Sequence, residues 1–133
     1  MIYVMDACAM LALLRKEPGE HVVANALADP NADCYAHAMN LCEVYYIFHR
    51  DSGEASAETA ISDLKGLGII ESNDLDSAFW KDVGKLKAQH RASLADFCAV
   101  ALTNRIGGAL LTSDHHELDV IAAAGVCSIT FIR

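Results

Sequence analysis

Short apolar runs rich in β-branched and aromatic residues recur along the chain, with longer helix-like stretches between them. Ile2 to Met5, Cys34 to His37, Leu67 to Glu71, Ala109 to Thr112 and Cys127 to Ile132 read as buried strands. Ala7 to Leu14 is built from Ala, Met and Leu, which are strong helix formers. Glu20 to Ala28 reads as helix up to Asp29-Pro30, where the residue before proline is pushed out of the α region. Met39 to Arg50 is a strongly apolar helix that stops around Ser52-Gly53. Glu54 to Lys65 is amphipathic, with Ala57, Ala60, Ile61 and Leu64 at helical spacing. Asp76 to His90 forms a helix capped at Asp74 or Asp76. Ser93 to Arg105 is closed by Gly107-Gly108, and His116 to Ala124 is the last helix.

Strands this short and apolar, alternating with helices, predict an α/β fold. The expected architecture is one domain over residues 1–133, with a short, mostly parallel central sheet flanked by helices on both faces. Crossovers are expected to be right-handed. A site in such a fold lies beyond the carboxyl ends of the strands. Asp6 and Asp114 each follow a predicted strand directly.

A length of 133 residues suits one domain with an ordinary core, and 53% hydrophobic against 21% charged residues excludes a disordered chain. The formal net charge of −8 argues at first sight against a nucleic-acid partner, which usually calls for a basic surface. That objection weakens if several acids are metal ligands, because bound cations offset them. Cys8, Cys34, Cys42, Cys98 and Cys127 form no C-x-x-C pair, so reduced thiols in mostly apolar surroundings are expected, without zinc. The apolar N-terminus is interrupted by Asp6, and its basic pair Arg15-Lys16 follows the run, unlike a signal peptide. No run is long enough to span a membrane, and a cytoplasmic location is expected.

Most carboxylates in the chain have polar neighbours, but Asp6, Glu43, Asp96 and Asp114 do not. Asp6 lies between Ile2-Tyr3-Val4-Met5 and Ala7-Cys8-Ala9-Met10-Leu11, and Glu43 lies inside Met39 to Phe48. Asp96 precedes Phe97-Cys98-Ala99-Val100, and Asp114 follows Ala109-Leu110-Leu111-Thr112-Ser113. Burying an unpaired carboxylate costs several kcal/mol or more. A divalent cation is the natural compensation, and an all-oxygen set favours Mg²⁺ or Mn²⁺ over zinc. Singly, each acid has an ordinary structural reading. Asp6 and Asp114 would cap the helices that follow, Glu43 would bond a buried tyrosine or backbone group, and Asp96 would pair with Arg91 or Arg105. All four would have to hold together, which favours one shared site.

The segments Val4-Met5-Asp6-Ala7-Cys8, Asn40-Leu41-Cys42-Glu43-Val44, Leu94-Ala95-Asp96-Phe97-Cys98-Ala99 and Leu110-Leu111-Thr112-Ser113-Asp114 resemble the ordered acidic motifs of PIN domains. Size and element order look closest to the VapC-type toxins of toxin–antitoxin pairs, and the resemblance covers essentially the whole chain. It implies a Mg²⁺- or Mn²⁺-dependent endoribonuclease. Asp6 and Asp96 are then the principal metal ligands, Glu43 and Asp114 complete the site directly or through waters, and Thr112 supports it. It also implies an RNA substrate, a VapB-like antitoxin and a homodimer. The family often carries Ser or Thr two residues after its first Asp, where this chain has Cys8, which puts a supporting hydrogen bond in doubt.

Beyond the acids, Lys81, Lys85, Lys87, His90 and Arg91 form the densest basic stretch. From it Lys85, Lys87, His90 and Arg91 are candidate RNA phosphate contacts, weighed against an ordinary solvated helix face. Asp119 is a possible extra acid but reads better as a solvated position. His115-His116 lack a third ligand at zinc spacing. Tyr45, Tyr46, Phe48 and Trp80 read as core or partner surface ahead of base-stacking groups. A haloacid-dehalogenase-like phosphate enzyme would want an Asp at Cys8, and a receiver domain an acidic pair after its first strand and a late lysine. A catalytically silent PIN-like binding module is the remaining alternative, and the four acids argue mildly against it.

Overall fold

The computed structural model describes residues 1–133. The chain opens with β1 (Ile2–Met5), α1 (Ala7–Arg15), α2 (Glu20–Ala28) and β2 (Asp33–His37). It continues through α3 (Ala38–Ser52), α4 (Glu54–Gly66), β3 (Ile69–Ser72), α5 (Ser77–Gln89) and α6 (Leu94–Ile106). It closes with β4 (Ala109–Thr112), α7 (His115–Ala123) and β5 (Ile129–Phe131). The strands form one sheet in the order β3-β2-β1-β4-β5, and every pairing is parallel. The expected mostly parallel sheet is therefore parallel throughout.

The order follows from two directions of travel. The chain moves outward from β1 through β2 to β3, then returns past β1 to lay down β4 and β5. With right-handed crossovers, reversing direction moves the helices to the other face. The side chains of β1 show the result. Met5 enters a core built with α1 to α4, through Met10, Val23, Leu41 and Leu64. Its neighbour Val4 enters a second core with α5 to α7, through Phe79, Phe97, Leu102 and Leu118. Leu111 and Leu110 of β4 divide in the same way. Burial on both faces explains why β1 and β4 read as unbroken apolar runs.

Helix ends follow local chemistry. Asp76 is the cap of α5, its carboxylate accepting from the Phe79 N–H at 3.0 Å. Gly107 ends α6 in the left-handed conformation (φ 70°), which glycine adopts without the Cβ clash. α4 runs on to Gly66, so β3 begins at Ile69 and not at Leu67. A turn through Gly125 (φ 67°) delays β5 to Ile129. No helix is long and apolar enough to cross a membrane.

Candidate active site

The reversal of strand order falls between β1 and β4, and a sheet of this kind opens a crevice beyond its carboxyl ends there. Asp6 leaves β1 into that crevice and Asp114 follows β4. Register Met5↔Leu111 then sets Asp6 opposite Thr112. Asp6 is only 2% exposed. Its Oδ1 caps α1 by accepting from the Ala9 N–H at 2.9 Å, and its Oδ2 accepts from the Thr112 hydroxyl. The Thr112 Oγ1 in turn accepts from the Asp114 N–H at 3.0 Å. One threonine thus ties the two strand-end acids together. Asp114 caps α7 through the Glu117 N–H at 3.0 Å. At both residues the cap uses one carboxylate oxygen, so capping does not exclude a second role.

Asp96 stands in the first turn of α6, fixed by a reciprocal box in which Ser93 and Asp96 each bond the other's backbone N–H at 3.1 Å. Arg105, considered above as its partner, binds Asp74 at 3.1 Å and Asp76 at 2.7 Å instead. Glu43 is half-buried on α3, and neither an ion pair nor a hydrogen bond offsets its charge.

These acids feel one another's charges in part. The Asp6 carboxyl is raised to about 7 on balance: burial lifts it most, bonds from Thr112 and Ala9 pull it down, and the charges of Asp96 and Asp114 push it up. Burial raises Glu43, with Asp96 and Asp114 adding to it. Burial also raises Asp96, tempered by Ser93, with Asp114 and Glu117 working the other way. The Cys8 thiol is the clearest reporter. Burial first, then Asp6, Asp114, Glu43 and Asp96 in turn, hold it up at about 12.

No lysine, arginine or histidine forms an ion pair with any of these four acids. A concentrated, uncompensated set of oxygen donors fits a hard divalent cation. No three acidic, histidine or cysteine side chains stand close enough together to clasp an ion directly. Asp6, Glu43, Asp96 and Asp114 are the residues that would hold a largely hydrated ion such as Mg²⁺, which needs only one or two carboxylates.

Two neighbours escaped the sequence reading. Glu117, not Asp119, is the further acid whose charge reaches Asp96. Asp119 lies out at 59% side-chain exposure, bonded to the His115 ring at 2.7 Å. The Asp-x-x-Glu spacing from Asp114 was the available signal. Asn40, one turn before Glu43, is fully buried; its Nδ2 donates to the Ala95 carbonyl at 3.3 Å and its Oδ1 has no partner. A lone amide in an apolar helix was the clue.

The basic stretch divides. Lys87 donates to the Ala92 carbonyl at 2.7 Å, and Lys85 lines a groove with Asn104 and Arg105. His90 and Arg91 line a separate groove with His116 and Glu117. Of the aromatics, Trp80 (51%) and Tyr46 (49%) are exposed. All five cysteines are free; Cys34, Cys98 and Cys127 are buried, whereas Cys42 is exposed.

The ordered acids at this switch point coincide with a family match over residues 3–124, described as the PIN domain. The chain belongs to the PIN domain family. Solved structures share the fold across nearly their whole length. VapBC2 from Rickettsia felis, bound to a promoter DNA fragment, is 15% identical with a TM-score of 0.76, covering 98% of each chain. VapBC-1 from nontypeable Haemophilus influenzae is 16% identical at a TM-score of 0.73, covering 99% of this chain and 98% of that one. Mycobacterium tuberculosis VapC20, a sarcin-ricin loop cleaving toxin, is 16% identical at 0.71, covering 94% and 95%. No curated protein matches the sequence. At these identities the likeness of the PIN domain to VapC structures is one of fold.

Proposed function

We propose that this PIN domain, taken as residues 1–133, is a divalent-metal-dependent endoribonuclease and the toxin of a VapBC-type toxin–antitoxin pair. The observation that carries the reading is the convergence of Asp6, Glu43, Asp96 and Asp114 at the switch point without one balancing cation. The naming of similar structures as VapBC complexes, and of one as an RNA-loop-cleaving toxin, supports the substrate class and the partner.

Asp6 and Asp96 are the principal metal-site acids in this reading, with Glu43 and Asp114 completing it. Bound Mg²⁺ or Mn²⁺ supplies a water of lowered pKa and stabilises charge developing on the scissile phosphate. Thr112 holds the Asp6 carboxylate against α1 and sets the Asp114 backbone beside it. Ser93 fixes Asp96. Glu43, free of hydrogen bonds, has both oxygens available to orient a water or take its proton. Cys8 stays a neutral thiol among these charges and does not act as a nucleophile. A homodimer, a VapB-like antitoxin and a cytoplasmic location complete the proposal.

Purified protein free of antitoxin, incubated with total RNA and Mg²⁺ or Mn²⁺, is expected to cleave. Chelation, Asp6→Asn and Asp96→Asn should each abolish the cuts. Divalent-ion binding without cleavage of any RNA would favour the silent binding module. Absence of metal binding by calorimetry would remove the basis of the site itself.

A further inference from the structure

The distribution of unpaired positive charge points to a place for the substrate strand. Of ten Lys and Arg residues, Arg15, Arg50, Lys65, Arg105 and Arg133 reach a carboxylate within 4.0 Å. The five without one are Lys16, Lys81, Lys85, Lys87 and Arg91, and four of these fall between positions 81 and 91. In a chain of net charge −8, that segregation sets one element apart from the acidic remainder.

Lys87 gives its ammonium to the Ala92 carbonyl and so braces the link between α5 and α6. His90, the last residue of α5's cap, and exposed Arg91 then form one wall of a groove of about 490 Å³. The other wall is α7, through His116, Glu117, Val120 and Ile121. Glu117 belongs to both places, because its charge also acts on Asp96. The backbone N–H of Glu117 also donates to the Asp114 carboxylate at 3.0 Å, so the groove borders the acidic site, and Arg91 brings a positive charge to its edge. The Arg91 guanidinium is a planar fork matched to phosphate oxygens. The rings of His90 and His116 add N–H donors, and Val120, 68% exposed, offers an apolar edge to a sugar or base.

We infer that this groove binds the phosphate backbone of the RNA strand next to the scissile bond, with Arg91 and His116 as the phosphate-contacting pair. The inference rests on the ribonuclease reading above. It moves the RNA contact away from Lys85 and Lys87, and adds His116, which the sequence offered only as a weak metal ligand.

The test is fluorescence anisotropy with a short labelled single-stranded RNA, in chelator so that nothing is cut. Wild type, Arg91→Gln/His116→Gln and Lys16→Gln are compared over a salt series. Both substituted residues of the double variant are exposed, and Lys16 lies at the far end of α1 from Asp6. The double variant should bind about 10-fold more weakly, and its slope of log K against log salt should flatten by about 0.7 or more for each lost phosphate contact. Lys16→Gln should change affinity less than about 2-fold. Mn²⁺ binding followed by calorimetry should be the same in all three. Equal affinity of wild type and double variant would overturn the inference, as would an equal loss in Lys16→Gln, which would mark a bulk charge effect. If wild type cleaves RNA while the double variant keeps its KM, the inference fails and the ribonuclease reading stands. If Mn²⁺ binds to neither protein, it is the ribonuclease reading that fails.

Discussion

Replacing Asp6 with asparagine removes a charge that the fold holds at a cost. The native carboxyl keeps its proton up to about 7 because burial disfavours the ionised form, whereas the unfolded chain releases it near the ordinary 3.8. Between those values the native state binds more protons than the unfolded state. Metal-free wild type therefore loses stability as pH rises through that window. A displacement of about three units at about 1.4 kcal/mol each sets the loss near 4 kcal/mol. Asparagine can still cap α1 by accepting from the Ala9 N–H, and its amide can face the Thr112 oxygen. In metal-free protein Asp6→Asn should then melt about 10–15 °C above wild type at pH 8, with the gap closing by about pH 4. Saturating Mn²⁺ should narrow the gap to about 1 kcal/mol, since wild type gains about 2.7 kcal/mol at a hundred times the Kd and the variant gains little. Differential scanning fluorimetry from pH 4 to 8, with and without Mn²⁺, reads all of this. Melting curves of the two proteins that run parallel across the whole pH range would refute the buried-charge reasoning.

Thr112→Val, nearly isosteric, removes a donor to the Asp6 carboxylate and an acceptor for the Asp114 N–H. It should cost about 2–4 kcal/mol in urea unfolding and move the Asp6 titration, followed by NMR, above about 7. His37 is 2% exposed, accepts from the Met39 N–H, donates to the Asp74 carbonyl and stacks on Phe79 with ring centroids 5.2 Å apart. His37→Leu leaves both backbone groups unsatisfied and should destabilise by about 2–4 kcal/mol in the same assay. Maleimide at pH 8, read by mass spectrometry, should modify exposed Cys42 well before Cys8, whose thiol stays protonated to about 12.

How far these features were legible in the sequence depends on the range of the interactions behind them. Helices and strands followed from periodicity and from punctuation by Asp29-Pro30, Ser52-Gly53 and Gly107-Gly108, which act over one turn of chain. The four acids stood out because their neighbours were apolar, and that too is local information. Thr112's double role depends on the pairing of β1 with β4, more than a hundred residues apart, so only the register reveals it. Glu117 and Asp119 are two residues apart on one helix. Which of them faces Asp96 is fixed by how α7 seats, with His115 stacked on Phe131 at 4.0 Å and holding Asp119 outward. Arg105 could be paired with Asp96 on paper, because Asp74 and Asp76 come within its reach only when α5 packs on α6.

The same distinction bears on the conflict between a charge of −8 and the proposed RNA substrate. A net charge governs attraction only if the charges mix over the surface, and here they do not. Arg15, Arg50, Lys65, Arg105 and Arg133 are cancelled locally by Asp51, Glu71, Asp74, Asp76 and Glu17. What a polyanion meets near α7 is a groove lined by His90, Arg91 and His116, with Glu117 as its acid. Beyond about 8 Å, salt at physiological strength screens the remaining acids, whereas a phosphate within the groove is in contact with Arg91. Raising ionic strength should therefore weaken RNA binding even though the protein as a whole is an anion. A chain whose affinity rose with salt would instead be repelling its ligand.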